Sequence, residues 1–510
     1  MYPNAKNQAG KQAPKNPPCL IRRWNKKLPN PVFLGVQPVF QLPDIVQESP
    51  VLAGPVPPPA PLPFLRYIRT MHDSAIAAYY EDVYQQPIVE IKYPGLHTFL
   101  VNDPAGIKRV LIDNADNYIK GGIEQLALSA WPDKGFAVNG KETRRRRRIV
   151  STSFDNRSIR ENSSAILDAA SELLAAWSAL PPHSVIEVQS EMARMALKII
   201  ARIVSSIDSE QSARVMELTS RRHRKDRVLN PLNFVPLLDL PWRFYNRLHG
   251  RYVFKHLHAY LDRLIAIRIE ERRDPGNDFL GRLLREKDEE TGSTLSRQEA
   301  HDQIITVLGT GHETTALALM WTWYLLSQHP LQEARLHCEL DRVLAGRAPA
   351  FDDLARLSYT RMVVDEALRL YPPSHSLPWR GALSDDIVCG VKIPKGATVS
   401  IIPWVLHRHA KLWEHPQRFD PERFSIDRSA GRSRFAYLPF GIGPRVCVGA
   451  SFARTEIMLV LATLAQHYRL RLVPGHKVEP RGLVLLRARY GLKMTLESRQ
   501  QVSASQVEKI

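Results

Sequence analysis

The spacing of apolar and polar positions changes along this chain, and the changes locate its elements. Residues 158–180, 186–206, 250–273 and 296–328 carry apolar side chains at helical spacing. The last of these opens on Ser296 with Glu299, a capping-box pair, and should stop near Pro330. Val89–Tyr93 and His97–Val101 flank Pro94-Gly95, which predicts a strand pair. Between Asp386 and Pro403, β-branched residues with glycine and proline turns predict more extended chain. The expected fold is mainly α with a small β region, formed as one domain over residues 61–495. Val56–Pro63 can only be extended, because successive prolines forbid helix. Residues 1–60 read as a basic, proline-rich, disordered extension, and 496–510 as a tail.

Composition narrows the classes. Of 510 residues, 44% are hydrophobic, an ordinary globular balance with ample length for a core. The net charge of +18 would attract an acidic protein, an anionic surface or nucleic acid. No nucleic-acid motif accompanies the charge, so that class is set aside. Cysteines stand at 19, 338, 389 and 447 with no CxxC spacing, which removes a zinc ribbon and a dithiol redox pair. So few cysteines suit a reducing compartment, and a cytoplasmic location is expected. No run of 18 apolar residues exists, so no transmembrane anchor is predicted. Seven Lys or Arg and no acidic residue precede Asp44, which keeps organelle targeting as a minor alternative.

The densest chemical signal is Phe440-Gly441-Ile442-Gly443-Pro444-Arg445-Val446-Cys447-Val448-Gly449. Two glycines and a proline hold a tight loop whose backbone can approach a flat ligand. Cys447 follows the loop and precedes an apolar helix, whose N-terminal N–H groups favour a thiolate. Arg445 adds a positive charge nearby. The string resembles the heme-binding loop of the cytochrome P-450 family, FGxGxRxCxG, at every fixed position. That resemblance implies a triangular-prism fold, heme b, and Cys447 as the axial iron ligand, with Phe440 and Gly441 against the cofactor.

Other motifs extend the resemblance over about residues 60–495. Gly309-Thr310-Gly311-His312-Glu313-Thr314-Thr315 lies within the long helix and resembles the family's distal helix, which makes Glu313 and Thr314 the proton-delivering acid–alcohol pair. Two mid-helix glycines cost about 1 kcal/mol each against alanine, so they are expected to leave room for a ligand. Thr314 can bond the carbonyl of Thr310, which itself stands where the family has Ala or Gly. Glu366-Ala367-Leu368-Arg369 matches ExxR, with Arg423 of PERF as a second arginine on Glu366, a folding element rather than catalytic machinery. Arg445, Arg380 and Arg147 are the implied holders of the heme propionates, although Thr143 replaces an aromatic residue one turn before Arg147. The rest of the Arg144–Arg148 run is expected to form a basic face for an acidic electron donor.

The implied reaction inserts one oxygen atom of O2 into an apolar small molecule. Electrons come from NAD(P)H through a separate ferredoxin-like protein and its reductase, since only about 15 residues follow the family-like region. A heme-thiolate peroxygenase or isomerase, needing no donor, is the alternative. By resemblance the substrate pocket draws on Ile123–Trp131, Leu308–Thr310 and Ser374–Leu377.

Overall fold

The computed structural model describes residues 52–120, 141–204, 255–269 and 278–499, with Leu248 and Tyr252. The chain divides into units 1–48 and 49–510, and every described residue lies in the second. The extension before residue 52 and the tail after 499 lie outside the described residues, as do Ile123–Trp131.

The helices that build the site are α1 (Lys141–Thr152), α2 (Ser163–Ser178), α3 (Val188–Val204), α4 (Arg297–Gln328), α5 (Pro330–Leu344), α6 (Ser358–Leu370) and α7 (Ala450–Ala465). The strands are β1 (Ile88–Tyr93), β2 (Leu96–Val101), β3 (Tyr118–Lys120), β4 (Val185–Glu187), β5 (Arg380–Ala382) and β6 (Asp386–Val388). They continue with β7 (Val391–Ile393), β8 (Thr398–Ser400), β9 (Tyr468–Leu472), β10 (Pro480–Gly482), β11 (Leu486–Ala488) and β12 (Lys493–Ser498). One five-stranded sheet has the order β1-β2-β8-β5-β3, and the other strands form small antiparallel groups. Helix thus dominates over a small sheet component, the class expected from the apolar spacing.

The β1–β2 turn closes on Gly95, whose φ of 74° only glycine adopts cheaply. Helix α4 begins with the capping box: Ser296 Oγ accepts from Glu299 N–H, and Glu299 Oε2 accepts from Ser296 N–H at 2.7 Å. It ends at Gln328, two residues before Pro330, which opens α5 at a position needing no N–H. The apolar run at 158–180 is two helices, because the chain bends at Asn162 between Asn156–Glu161 and α2. The folded chain also begins earlier than the sequence indicated. Ala53 accepts a hydrogen bond from Tyr371 Oη at 2.8 Å, so residues 52–60 are attached to the core.

The irregular chain from 407 to 438 has many carbonyls and little structure of its own to satisfy them. Arg369 supplies the donors from α6. Its Nε and Nη2 donate to Glu366 at 2.6 and 2.8 Å, and its Nη1 and Nη2 donate to the carbonyls of His407, Pro416 and Arg418 at 2.7–3.0 Å. All five N–H groups of the guanidinium are used. Asp420 N–H donates to Glu366 at 2.9 Å, and Arg423 Nε stands 3.4 Å from the same oxygen while its Nη2 donates to His415 O. Both Glu366 and Arg369 are fully buried. Removing one partner strands the other charge, at a cost of about 3–5 kcal/mol. Glu366→Ala should therefore lower the denaturant unfolding free energy by about that amount; a loss below about 1 kcal/mol would show that the pair does not hold this chain in place.

Candidate active site

Cys447 ends a loop fixed from both sides. Its N–H donates to Phe440 O at 2.9 Å, and Gly441 N–H donates to Leu438 O at 3.2 Å. Leu438 N–H in turn donates to His407 Nε2 at 2.9 Å, while His407 Nδ1–H donates to Arg369 O at 3.2 Å. Burial, with Arg369 beside it, pushes the His407 pKa well down, so the imidazole is neutral and can accept on one nitrogen while donating on the other. A continuous path of hydrogen bonds thus joins Glu366 to the cysteine loop. Sequence reading missed His407, which carries no local signal beyond its place in Trp404-Val405-Leu406-His407.

Gly443 sits at φ 81°, and a Cβ there would lie 2.3 Å from Leu111 O. Only glycine lets the loop pass this backbone. Gly441, also at positive φ, faces Leu377 at ordinary contact distance. Phe440 is half-buried, with Arg454 stacked 5.0 Å from its ring centre.

The thiol of Cys447 is accessible, although protein surrounds it densely enough that burial raises its pKa. The Gly449 N–H and the Arg147 charge act in the opposite sense and favour the thiolate. Arg147 is thus a cation that acts on the thiol. Arg147 donates to Val446 O, next to the cysteine, and Arg445 Nη1 donates to Tyr118 O at 3.0 Å on β3. Arg380, on β5, pairs across the strands with Lys120 of β3. Lys120, Arg380 and Arg445 therefore gather at β3, with Arg147 across the loop. Lys120 was not anticipated.

The remaining arginines of the run do not form a free basic face. Arg144 pairs with Asp116, Arg145 with Glu142 and Glu299, Arg146 with Glu142 and Glu299, and Arg148 with Asp288 and Glu290. They fasten α1 to its surroundings, because acidic residues distant in sequence fold against them.

Helix α4 is buried at Ile304, Ile305 and Leu308 and again from Thr315 to Leu326, yet Thr310 between them is exposed. Glu313 and Thr314 beside it are half-buried, whereas His312 between them and Thr310 is buried. Thr314 Oγ1 donates to Thr310 O at 2.9 Å, and Thr310 Oγ1 to Thr306 O at 2.7 Å. Gly311 does not leave room for a ligand: a Cβ would lie 3.1 Å from Ile200, so it serves the close approach of α3. Thr315 Oγ1 lies 3.2 Å from Gly311 O and 3.3 Å from Glu456 Oε2 on α7, which couples α4 to the helix that follows the cysteine. Of the other pocket residues inferred by resemblance, Ser374, Ser376 and Leu377 lie in the turn before β5, where Ser374 Oγ donates to Ser376 O at 3.0 Å.

The donor set suits heme. Among the described residues no three His, Cys, Asp or Glu side chains could hold a metal ion, so a lone thiol suits a metal whose other ligands come with the cofactor. Cations gathered near the loop suit carboxylates, and Thr143 Oγ1, one turn before Arg147, is buried with no hydrogen-bond partner on the protein. Fold and site together define a heme-thiolate protein.

Comparison with known proteins agrees. The chain matches the Cytochrome P450 family over residues 55–494. Cyclooctatin synthase of Streptomyces melanosporofaciens is 35% identical over 410 residues, 79% of this chain and 86% of the relative. Pentalenene oxygenase of Streptomyces avermitilis is 36% identical over 368 residues, 70% of this chain and 78% of the relative. The crystal structure of the cytochrome P450DA heme domain superposes with a TM-score of 0.73 at 22% identity, covering 88% of this chain and 99% of that one. The chain belongs to the cytochrome P450 family, whose cofactor is heme b with a cysteine axial ligand, and it is a P450 monooxygenase.

Glu456 is a second finding that sequence reading passed over, although a lone acid inside Phe452–Ala465 was a visible signal. Burial raises its pKa to about 8, with Thr315 the one group opposing the shift. The folded state therefore holds a proton that the unfolded chain releases near pH 4.5. Stability from this group is greatest below about pH 4.5, falls as pH rises, and levels off above about 8. Glu456→Gln removes that slope of about 1.4 kcal/mol per pH unit. Relative to wild type, the variant should gain unfolding free energy steadily between pH 5 and 8; parallel pH profiles would show that Glu456 is ionised in the fold.

Proposed function

We propose that this monooxygenase binds heme through Cys447, holds its propionates with Arg147, Arg380 and Arg445, and inserts one atom of O2 into an apolar small molecule. The observation that carries the reading is the accessible Cys447 thiol on its glycine loop. When bound, heme supplies the centre where dioxygen is reduced and cleaved, with electron density from the thiolate favouring cleavage. The chain's own residues supply protons and order. Cys447 binds as thiolate, favoured by Gly449 N–H and Arg147. Thr314 holds a hydroxyl proton on α4, and Glu313, one residue earlier, replaces that proton from solvent. The presence of this pair favours donor-driven turnover over a peroxygenase or isomerase.

The substrate reading rests on relatives. Two bacterial relatives are named for pentalenene, an alkene, and cyclooctat-9-en-7-ol, a cyclic alkenol. We infer an apolar cyclic molecule of that kind. Either compound, or a hydrocarbon like them, should shift the ferric heme spectrum on titration; shifts caused only by charged or strongly polar molecules would overturn this reading.

Electrons are taken to come from NAD(P)H through a separate acidic donor in a cytoplasmic setting, and no described helix is long and apolar enough to cross a membrane. Since the Arg144–Arg148 run is ion-paired, docking is assigned instead near Arg434. That residue is exposed six positions before Phe440, with its guanidinium stacked 5.1 Å from the centre of the Phe435 ring. Attraction between exposed patches is screened over about 8 Å at physiological salt. Arg434→Glu should slow first-electron transfer from a ferredoxin and flatten its salt dependence, whereas unchanged rates would move the docking face elsewhere.

A further inference from the structure

Glu313 is not alone on α4. Arg487 donates to both of its oxygens, from Nε at 2.7 Å and Nη2 at 2.8 Å. The two residues are 174 positions apart in sequence, and no motif announces the contact. The backbone that delivers Arg487 is held tightly. It stands in β11 between buried Leu486 and Ala488, so its side chain points away from theirs. Leu486 N–H donates to Pro373 O at 2.9 Å, and Leu486 O accepts from Trp321 Nε1 at 2.9 Å, eight residues beyond Glu313 on the same helix. Across the hairpin, Gly482 N–H donates to Ser74 Oγ at 3.1 Å, and a Cβ on Gly482 would lie 2.7 Å from Ile76. The cross-strand neighbour of Arg487 is Arg481, which donates to Asp73 O at 2.7 Å. The strand is therefore fixed, and the Arg487 side chain is the part able to move.

We propose that Arg487 is the positioning residue for proton delivery: it holds Glu313 as a carboxylate against β11, and its release accompanies each proton that Glu313 carries. This rests on reading Glu313 as the delivering acid. A protonated carboxyl has lost the charge that strengthens both bonds, and its hydroxyl oxygen, now also a donor, accepts only weakly. Protonation of Glu313 therefore loosens its grip on the arginine. The side chains are 23% and 30% exposed, so water can reach the pair and supply the proton. In each transfer one proton passes from solvent to the Glu313 carboxylate as Arg487 lets go. It moves on to Thr314 Oγ1, whose own hydroxyl proton goes to the oxygen substrate, and Glu313 returns to the arginine as a carboxylate. Because β10–β11 carries Arg487, whatever presses on this hairpin changes the readiness of the acid.

The test uses the heme-loaded protein in two measurements that need no organic substrate. The first is infrared titration of the resting enzyme, with the Glu313 carboxyl band identified by its loss in Glu313→Gln. The second is the peroxide released per NADH oxidised with a surrogate ferredoxin and its reductase. In Arg487→Gln the carboxyl band should persist about 1–3 pH units higher, since the adjacent positive charge is gone. Electron flow to water should fall about tenfold in favour of peroxide, within the range for loss of a positioned proton donor. Arg487→Lys, which keeps the charge without the fork, should restore both largely; if the Gln variant does not fold, Lys against wild type carries the test through a smaller shift of the same sign. Adding Arg487→Gln to Glu313→Gln should change the peroxide share by less than about twofold, since the two act as one unit. An Arg487→Gln enzyme that unfolds earlier but keeps the wild-type band position and peroxide share makes the pair a structural tie and overturns the proposal, leaving the proposed function intact. A Glu313→Gln enzyme with the wild-type peroxide share overturns the reading of Glu313 as the acid, and this proposal with it.

Discussion

A fully buried carboxylate and guanidinium, Glu366 and Arg369, sit where irregular chain must be held without strands or helices. Burying two ions is costly, and the cost is offset only because every donor and acceptor finds a partner. Those partners are the carbonyls and N–H groups of the segment leading to the cysteine loop. His407 then passes the constraint on, with one nitrogen on Arg369 O and the other on Leu438 N–H. The position of Cys447 is therefore a consequence of electrostatics on a helix 78 residues earlier in the chain.

Around that fixed sulfur the structure separates charge by role. Cations collect at β3, β5 and the loop. Acidic residues that could compete for them are used elsewhere: Glu299 and Asp288 hold Arg145 and Arg148, and Asp386 takes hydrogen bonds from Arg109, Asn114 and Tyr118. Helix α4 is buried along most of its length but less covered around Thr310, Glu313 and Thr314. Glu456 fits the same scheme. With its proton retained, it joins α7 to Thr315 as a neutral group.

Much of this was legible in sequence where the signal is local. The capping box at Ser296, the strand pair around Gly95 and the glycine loop before Cys447 each reflect backbone geometry that only certain residues allow. Spacing of three put Glu366 and Arg369 on one helix face, and the structure places both in the core. What could not be read depends on contacts far apart in sequence. The Arg144–Arg148 run looked like a solvated basic face because its partners at 116, 288, 290 and 299 come from other elements. Gly311 looked like room for a ligand and is instead the contact with Ile200. Arg487 and His407 act through partners 174 and 38 residues away, beyond any periodicity.

In the proposed holoenzyme Cys447, and no other residue, presents a thiolate to a non-covalently bound heme. The carbon monoxide difference spectrum of the reduced protein tests it most directly. The intact chain should give the red-shifted Soret band of thiolate ligation, and Cys447→Ala should lose it. Heme bound with an unshifted carbon monoxide band in the intact protein, or a red-shifted band that survives in Cys447→Ala, would contradict it.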